Sequence, residues 1–463
     1  MRICFSARSS YGIVSPKIFR QMKKEIPDLE AGFVVDNEIN KAKFLSKNPG
    51  TDVYCIASFV QKEWNKIDEN ELSLIESKYE CSPIWQYIYT DRFLIKADYQ
   101  YATKMTVALF RFFEQLFSEN EYQFYYDETI ATLQSYAAYL VGKEFNVTYI
   151  GQMNFRKAET TNHYFFTDPY QHMFGFDPDY VSKQFSKEII AKAEDYLTRF
   201  ESSTGTSAIM SYVKTKPKFE IKWIVYAMYL YINKEYHNPF DYMNYKYYRY
   251  FLERFFFYFK YRIEKKYYSN PNLKCKFVYY PLHYQPEAST IVCAQKYEKQ
   301  LFFIDSIAKS LPADTKLYVK EHYALLGHRD VTFYKQLKMY PNVVMVDPFF
   351  SSMELIKKSQ AVITLTGTAG WEAMLLRKPV ILGGHIYFDN APGIVFLEDV
   401  YLQLTEALEN WVQPTREDII KYLCECFSNV YDGSAYFAKT DFQSADNIEK
   451  VSHAFCNIIH SLT

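Results

Sequence analysis

The stretch that decides the fold is Ala361-Val-Ile-Thr-Leu-Thr-Gly-Thr-Ala-Gly-Trp-Glu-Ala-Met-Leu-Leu-Arg-Lys-Pro-Val-Ile-Leu382. It predicts a buried strand at 361–365, a turn of small residues at 366–370, a helix, and a second buried strand at 379–382. A helix that begins in Gly and Thr directly after a strand presents unpaired backbone N–H groups and the positive end of its dipole. This arrangement predicts a phosphate-binding turn. Glu372 lies about one helical turn further on, where it would reach a sugar hydroxyl attached to that phosphate.

The turn differs from the common nucleotide-binding motifs. It has neither the Gly-rich dinucleotide fingerprint nor the Lys-Ser/Thr pair of a P-loop. Two other interpretations stay open at this point. The small residues could serve only close packing of helix against strand, and Thr366 and Thr368 could be helix caps.

The C-terminal half of the chain alternates between strand and helix patterns. Strands are predicted at 277–282, 316–320, 342–346, 361–365 and 379–382, and helices at 291–311, 330–339, 351–359 and 368–377. This alternation predicts a parallel, doubly wound sheet. In such a sheet ligands bind beyond the carboxyl ends of the strands.

The first part of the chain shows a weaker version of the same pattern. Strands are predicted at 3–5, 31–35, 53–56, 122–126 and 147–150, with the longest helix at 98–118. We therefore expect an N-terminal α/β domain at 1–160, a helical insert rich in aromatic and basic residues at 161–270, and a C-terminal α/β domain at 271–440. A last helix within 441–463 would pack back on the N-terminal domain.

Composition excludes some classes of protein. The 463 residues carry a formal net charge of −1, which argues against a general nucleic-acid binder. The eight cysteines form no Cys-x-x-Cys pair, as expected for reduced thiols in the cytosol. No apolar run approaches the ~18 residues that span a bilayer, and the N-terminus has no signal-peptide pattern. We expect a cytoplasmic protein, with the inner face of the cytoplasmic membrane as an alternative location.

Two further loops follow strands of the C-terminal half. In the first, Gln285, Glu287 and Ser289 would form a wall of the ligand site, or merely a proline-stiffened loop before a capped helix. In the second, Lys320 and His322 are expected together on a loop. There Lys320 would act as a point charge and His322 as a protonated donor toward a leaving phosphate, although a surface Lys-x-His pair is common.

These loops together resemble a known family. The matching stretches are Pro281-Leu-His-Tyr-Gln-Pro-Glu-Ala-Ser289, Val319-Lys-Glu-His322, Thr364-Leu-Thr-Gly-Thr-Ala-Gly-Trp-Glu-Ala373 and Lys378-Pro-Val380. They resemble the capsule polysaccharide synthesis proteins, which include bacterial Kdo transferases of capsule and lipopolysaccharide assembly. The family usually has a proline after Lys-x-His, where this chain has Tyr323. The resemblance implies a GT-B fold, in which two Rossmann-type domains face a cleft and the C-terminal domain holds the donor nucleotide.

The resemblance also implies roles for single residues. Lys320 and His322 would face the donor phosphate, Glu372 would bind the ribose, and the donor pocket would be completed by Thr366, Gly367, Thr368, Gln285, Glu287 and Ser289. No metal-binding motif such as Asp-x-Asp is found in the expected place, so no metal and no cofactor are expected. Charge on the leaving nucleotide would then be stabilised by these side chains and the helix dipole.

The catalytic base is expected from the N-terminal domain. Asp127 and Glu128 follow the strand at 122–126, where a carboxylate could deprotonate an acceptor hydroxyl. Alternatively they cap a helix at 129–143. Arg156, after the strand at 147–150, is a candidate for binding an anionic sugar or acceptor, and its alternative is a solvated loop residue.

The segment 242–268 is dense in aromatic and basic residues. One interpretation is that its aromatic side chains pack a helical subdomain while its charges extend into solvent. The other is a basic, aromatic surface that docks on an anionic membrane near a lipid-linked acceptor.

These features favour a glycosyltransferase that moves a sugar from a nucleotide donor to a surface polysaccharide or its glycolipid anchor. The resemblance favours CMP-Kdo or another CMP-activated acidic sugar, and a UDP-sugar stays open. The alternatives are a nucleotide-sugar epimerase with the same two-domain fold and a non-catalytic capsule-assembly protein.

Overall fold

The computed structural model describes residues 1–8, 11–68, 70–81, 83–156, 163–202, 216–233, 237–434 and 443–463. The strands are β1 Arg2–Ser6, β2 Glu30–Val35, β3 Asp52–Cys55, β4 Phe124–Tyr126, β5 Thr148–Asn154, β6 His163–Thr167, β7 Phe277–Pro281, β8 Lys316–Lys320, β9 Val343–Val346, β10 Val362–Thr364, β11 Val380–Leu382, β12 Ile394–Phe396 and β13 Tyr431–Asp432. The helices are α1 Tyr11–Glu25, α2 Glu38–Lys47, α3 Ile56–Glu63, α4 Glu71–Lys78, α5 Ile84–Thr90, α6 Tyr99–Glu119, α7 Leu133–Glu144, α8 Lys187–Ser202, α9 Lys222–Ile232, α10 Tyr248–Glu264, α11 Ala288–Ile291, α12 Gln300–Ser310, α13 Val331–Leu337, α14 Ser352–Lys358, α15 Thr368–Leu375, α16 Val400–Glu409, α17 Arg416–Ser428 and α18 Ala445–Leu462.

The N-terminal sheet has the order β3-β2-β1-β4-β5-β6-β13. Strands β1 to β5 pair in parallel, whereas β6 is antiparallel to β5 and β13 is antiparallel to β6. The direction in which successive strands are added reverses between β1 and β4. Loops after these two strands therefore diverge and leave a crevice at the carboxyl edge of the sheet.

The C-terminal sheet is parallel throughout and has the order β9-β8-β7-β10-β11-β12. Its strand order reverses between β7 and β10, which puts the crevice at the loops after these strands. Strands β10 and β11 are fully buried, as their continuous apolar sequences predict. The predicted fold class, with two doubly wound α/β sheets, is confirmed.

Some element boundaries differ from the prediction. The helix predicted at 291–311 is wrong, because α11 and α12 are separate there. Between them the carbonyl oxygen of Cys293 accepts a hydrogen bond from the backbone N–H of His385 over 2.9 Å, which ties the chain to the loop after β11. Strand β6 falls in the predicted insert and β13 in the predicted C-terminal domain, yet both belong to the N-terminal sheet. Residues 161–162, 203–215 and 234–236 of the predicted insert lie outside the described residues.

Helix α18 packs against α1 in the N-terminal domain. Phe455 and Ile459 of α18 share one buried cluster with Phe5 of β1 and Ile18 of α1. The periodic apolar face of this helix is therefore buried in the N-terminal domain. Among the described residues, none of the helices has the length and hydropathy that crossing a bilayer requires.

Helices α9 and α10 form a hairpin that contacts both sheet domains. On the N-terminal side, Asn37 Nδ2 donates over 2.7 Å to Oδ2 of Asp241, which lies between α9 and α10. On the C-terminal side, Phe257 stacks on His328 with ring centroids 3.6 Å apart, and Glu264 Oε1 accepts the N–H of Gly327 over 3.0 Å. The hairpin segment is thereby fixed across the junction of the two domains.

Replacing Glu264 by Gln should stabilise the protein at alkaline pH and have less effect at acidic pH. Burial, and next the charge of Glu321, raise the pKa of Glu264 to about 7, whereas an unfolded chain has an ordinary Glu pKa. The stability that the protonated form contributes is complete below about pH 4 and is lost as the pH rises through about 7. The variant should gain up to about 3 kcal/mol in free energy of unfolding relative to the native chain at about pH 8.

Urea unfolding at about pH 5 and about pH 8 measures this difference. Glu409→Gln, at an exposed position of α16, is the matched control and should change stability equally at both values. An equal effect of Glu264→Gln at both values would show that the buried carboxyl group does not titrate in this range.

Candidate functional site

His283 fastens the loop after β7 to the turn after β10. Its Nε2 lies 3.0 Å from Thr364 Oγ1 and accepts the backbone N–H of Thr366 over 3.2 Å. Burial lowers the pKa of His283 to about 3, so the ring is neutral and carries its proton on Nδ1. This residue connects the two loops of the C-terminal switch point, and it was not among the predicted site residues.

The turn after β10 is built around Gly367. Its N–H donates to Thr364 Oγ1 over 3.1 Å, and the Thr366 hydroxyl donates to the carbonyl oxygen of Ser289 over 2.6 Å. Helix α15 begins at Thr368, and its N-cap residue is Gly367, which offers no side-chain hydrogen bond to the helix. The Thr366 hydroxyl thus fixes the turn to α11, and the interpretation of Thr366 as a helix cap is wrong.

Lys320 is the last residue of β8, as the predicted bounds of that strand have it, and is buried, so the second expectation that it lies on a loop with His322 is wrong. Its Nζ donates to Ser352 Oγ over 2.7 Å. The Tyr279 hydroxyl is 3.5 Å from the same Ser352 oxygen, and after burial the charge of Glu372 contributes to the raised pKa of Tyr279. Ser352 and Tyr279 thus lie between Lys320, which donates to Ser352, and Glu372, whose charge acts on Tyr279.

His322 lies in the loop after β8 as a neutral ring. Its Nδ1 accepts the N–H of Ala324 over 3.3 Å, which leaves the proton on Nε2. Burial, followed by the charges of Lys320 and Arg329, lowers the pKa of His322 to about 4. The expected protonated donor is thus replaced by a neutral one, since an imidazole in this tautomer still donates through Nε2.

The three predicted residues of the β7 loop differ in their surroundings. Gln285 Oε1 accepts from Arg329 Nη1 over 3.2 Å, and its Nε2 donates to the carbonyl oxygen of Glu298. Glu287 is exposed and accepts the Ser289 hydroxyl over 3.1 Å. Gln285 therefore stabilises the loop, while Glu287 and Ser289 remain accessible at the start of α11.

Arg329 and Glu321 stabilise the loop after β7. Arg329 Nε lies 2.8 Å from Glu321 Oε2, and its Nη2 donates to the carbonyl oxygen of His283 over 2.6 Å. The buried Glu321 also accepts the Tyr334 hydroxyl over 2.9 Å. The sequence indicated that Glu321 follows a strand, but it did not indicate the ion pair with Arg329, because no motif relates these two positions.

Asp127 and Glu128 follow β4 at the N-terminal switch point, opposite Arg8 after β1. Arg8 Nη2 lies 2.6 Å from Asp127 Oδ1 and 3.3 Å from Glu128 Oε1. The buried Asp127 also accepts the N–H of Glu128 and, through Oδ2, the Ser135 hydroxyl over 3.1 Å. Asp127 is thus enclosed by protein donors, and Arg8 is a residue of this site that the sequence did not indicate.

Glu128 is accessible to solvent, with 43% of its side chain exposed. Desolvation by the surrounding protein nevertheless raises the pKa of Glu128, while the charge of Arg8 lowers it and that of Asp127 raises it further. The capping interpretation is wrong, because α7 begins at Leu133 and its N-cap is Thr132. A carboxylate with a raised pKa and solvent access suits proton transfer.

Arg92 connects the two sides of the junction. Its charge lowers the pKa of Glu128 on the N-terminal side and counteracts the rise in the pKa of Tyr284 on the C-terminal side. The Tyr284 ring in turn makes an edge contact with the His322 ring, with centroids 6.0 Å apart. Arg92 is therefore within electrostatic reach of Glu128 and of Tyr284, the aromatic neighbour of His322.

Arg156 lies two residues beyond the end of β5. Its carbonyl oxygen accepts the Tyr196 hydroxyl over 2.8 Å, and its charge counteracts the rise in the pKa of Tyr387 that burial causes. Tyr387 follows β11 in the other domain. Arg156 therefore lies at the domain junction. Its neighbours there differ from those of Asp127 and Glu128.

Comparison with known proteins gives one family. The family model described as capsule polysaccharide biosynthesis protein matches residues 220–410. The resemblance to the capsule polysaccharide synthesis family is confirmed. The matched residues include β7 to β12, with the turn after β10, Lys320 and His322, whereas Glu128 and Arg8 lie outside them. No curated protein matches the chain.

Solved structures resemble the chain only distantly. A β-Kdo 2,7 transferase, KpsC of Thermosulfurimonas dismutans, is 12% identical with a TM-score of 0.35, and the match covers 75% of this chain and 89% of that one. A UDP-GlcNAc 2-epimerase of Methanocaldococcus jannaschii, in complex with UDP-GlcNAc and UDP, is 12% identical with a TM-score of 0.29 over 92% and 99% of the chains. HepE of Anabaena, in complex with UDP and glucose, is 10% identical with a TM-score of 0.31 over 100% and 99%. Because these scores are low, the fold assignment rests on the strand order.

Proposed function

We propose that this protein is a glycosyltransferase that transfers a sugar from a nucleotide donor to a surface polysaccharide or its glycolipid anchor. The observation that carries the proposal is the pairing of two switch-point crevices across one junction. The C-terminal crevice has a helix N-terminus and a buried cation, Lys320, and the N-terminal crevice has an accessible carboxylate, Glu128. The first suits a phosphate group and the second suits an attacking hydroxyl group.

In this proposal the donor nucleotide binds to the turn after β10. Backbone N–H groups at the start of α15 and the Lys320 ammonium group stabilise the negative charge of its phosphate, and Glu372 accepts hydrogen bonds from the ribose hydroxyls. His322 donates from Nε2 to a phosphate oxygen without having to gain a proton. Thr366 and Gly367 fix the turn, and Thr368 offers its hydroxyl group at the first helical position.

The acceptor hydroxyl group binds on the side of Glu128. Its oxygen forms a bond to the anomeric carbon of the donor sugar, and the bond from that carbon to the phosphate oxygen breaks. The nucleotide leaves with the bonding electron pair, and Glu128 takes the hydroxyl proton. Arg8 and Asp127 hold Glu128 in place, and Arg156 at the junction is available for an anionic sugar or acceptor.

The proposed donor is CMP-Kdo or another CMP-activated acidic sugar. The family resemblance supports this choice, and the cations Arg92 and Arg156 at the junction suit a carboxylate on the sugar. We further propose that the reaction needs no metal ion or cofactor, since Lys320, His322 and the helix dipole act on the phosphate charge.

Thermal unfolding in the presence of CMP- and UDP-activated sugars should identify the donor, because a ligand of the native state raises the melting temperature. Transfer is then measured with that donor and an oligosaccharide acceptor, with and without a chelator, and should be equal in both. Isomerised sugar from donor alone would instead identify an epimerase. Failure of every CMP and UDP compound to bind at millimolar concentration would contradict both enzymes and leave the non-catalytic assembly protein.

A further inference from the structure

The outer face of the α9–α10 hairpin is apolar and exposed. Six large side chains of this face are between 45% and 74% exposed: Val225, Met228, Tyr229, Ile232, Phe256 and Phe259. The buried core of the hairpin consists of Ala227, Leu230 and Phe251, so the packing interpretation of the aromatic segment holds for its inner side alone. Large apolar side chains exposed on both helices of one hairpin indicate an interaction site.

The same hairpin is strongly basic. The sequence between residues 216 and 268 has eleven Lys and Arg residues and five Asp and Glu, in a protein whose formal net charge is −1. Two of the acids, Asp241 and Glu264, are buried. Arg254 places its guanidinium group 4.0 Å from the centroid of the Trp223 ring, so cation and aromatic ring adjoin on this surface. An apolar face bordered by cations complements an anionic lipid surface.

The hairpin also lies beside the candidate site. Tyr250 and Arg254 of α10 are close enough to Tyr284 to influence its pKa, and Tyr284 contacts His322. On the other side, the hydroxyl group of Tyr242, in the segment between α9 and α10, donates over 3.3 Å to Asp91, next to Arg92. A surface that binds to the hairpin would therefore lie close to the junction between the two crevices.

We propose that the α9–α10 hairpin docks the protein on an anionic lipid bilayer. The exposed aliphatic and aromatic side chains enter the interface, while Arg249, Arg262 and their neighbours bind lipid phosphates. Lipid docking deepens the proposed function and rests on that function in one respect only: the purpose of docking is to bring the cleft to a lipid-linked acceptor. The binding itself requires neither donor nor transfer.

Flotation of the full chain with vesicles tests the docking. Vesicles of equal parts phosphatidylglycerol and phosphatidylcholine should carry the protein, and vesicles of phosphatidylcholine alone should carry at least tenfold less. The binding should weaken on going from about 0.15 M to about 1 M salt, because the charge attraction is screened. No binding to the phosphatidylglycerol vesicles would overturn the proposal.

Paired variants assign the binding to this face. The double variant Tyr229→Ser, Ile232→Ser should reduce binding to the vesicles at least tenfold. The double variant Arg249→Glu, Arg262→Glu should reduce it by more than about fivefold for each cation that is replaced. The matched control is Leu402→Ser with Val412→Ser, which removes two exposed apolar side chains from the C-terminal domain and should bind like the native chain. Native-like binding by the hairpin variants would overturn the proposal.

Two further measurements separate the remaining outcomes. Sedimentation at micromolar concentration should give a monomer, whereas a dimer that the Tyr229→Ser, Ile232→Ser variant abolishes would assign the face to a second copy and overturn lipid docking. Transfer to a water-soluble acceptor should be unchanged in the hairpin variants. Lipid binding without any transfer would contradict the proposed function while supporting the docking.

Discussion

Replacing Glu128 by Gln should lower the rate of sugar transfer by about a thousandfold, within the range that general base catalysis contributes. The amide keeps the size of the side chain and its hydrogen bond to Arg8, but it cannot take the proton of the acceptor hydroxyl. Donor affinity should be unchanged, because the proposed donor site lies in the other domain. The change is measured as kcat with saturating donor and acceptor.

The pH dependence of kcat provides a second readout. Because desolvation raises the pKa of Glu128, activity of the native enzyme should be lost as the pH falls through a value above the ordinary range for Glu. This acid limb should disappear in Glu128→Gln. Glu144→Gln, at the exposed end of α7, is the matched control and should keep both rate and profile. A Glu128→Gln enzyme that retains a tenth of the native rate would place the base elsewhere.

Replacing Gly367 by Ala should reduce transfer about a hundredfold, the loss that a misplacement of about 1 Å can cause at an active site. A methyl group at this position would lie 2.7 Å from Thr364 Oγ1 and 3.0 Å from His283 Nε2. Those atoms cannot withdraw without breaking the hydrogen bonds that hold the turn to β10 and to the β7 loop. The start of α15 would therefore move away from the phosphate, and the thermal shift produced by the donor should be lost.

Gly370→Ala is the matched control, three residues further along α15. The nearest atom to its new methyl group is the Thr364 Cγ2 methyl at 3.0 Å, and no hydrogen bond of the turn is involved. This variant should still bind the donor. If Gly367→Ala binds the donor as well as Gly370→Ala does, the turn after β10 is not the phosphate site.

Strands β7 to β11 of the C-terminal sheet could be predicted because each has a continuous apolar core bounded by polar or small residues, whereas β12 was not predicted. Strand β8 has its predicted bounds, and β10 differs by one residue at each end. The helix at 291–311 could not be predicted correctly, because its interruption depends on the hydrogen bond between His385 and Cys293 from a distant loop. Local periodicity contains no information about such a contact.

The two halves of the candidate site were predictable to different extents. Turn residues such as Thr366 and Gly367 are adjacent in sequence, and small residues after a strand have a direct conformational meaning. Arg8 could not be assigned to Asp127 and Glu128, since 119 residues separate Arg8 from Asp127 and only the parallel pairing of β1 with β4 brings them together.

The sequence by itself determined the alternation of strands and helices, the small-residue turn before α15 and the resemblance of the donor-side loops to one family, because these depend on neighbouring residues. The tertiary structure decided which groups are charged and accessible. It made His322 neutral by burial, enclosed Asp127 within hydrogen bonds and left Glu128 accessible. It also exposed the aromatic side chains of α9 and α10, since the degree of burial depends on what the whole chain packs against each residue.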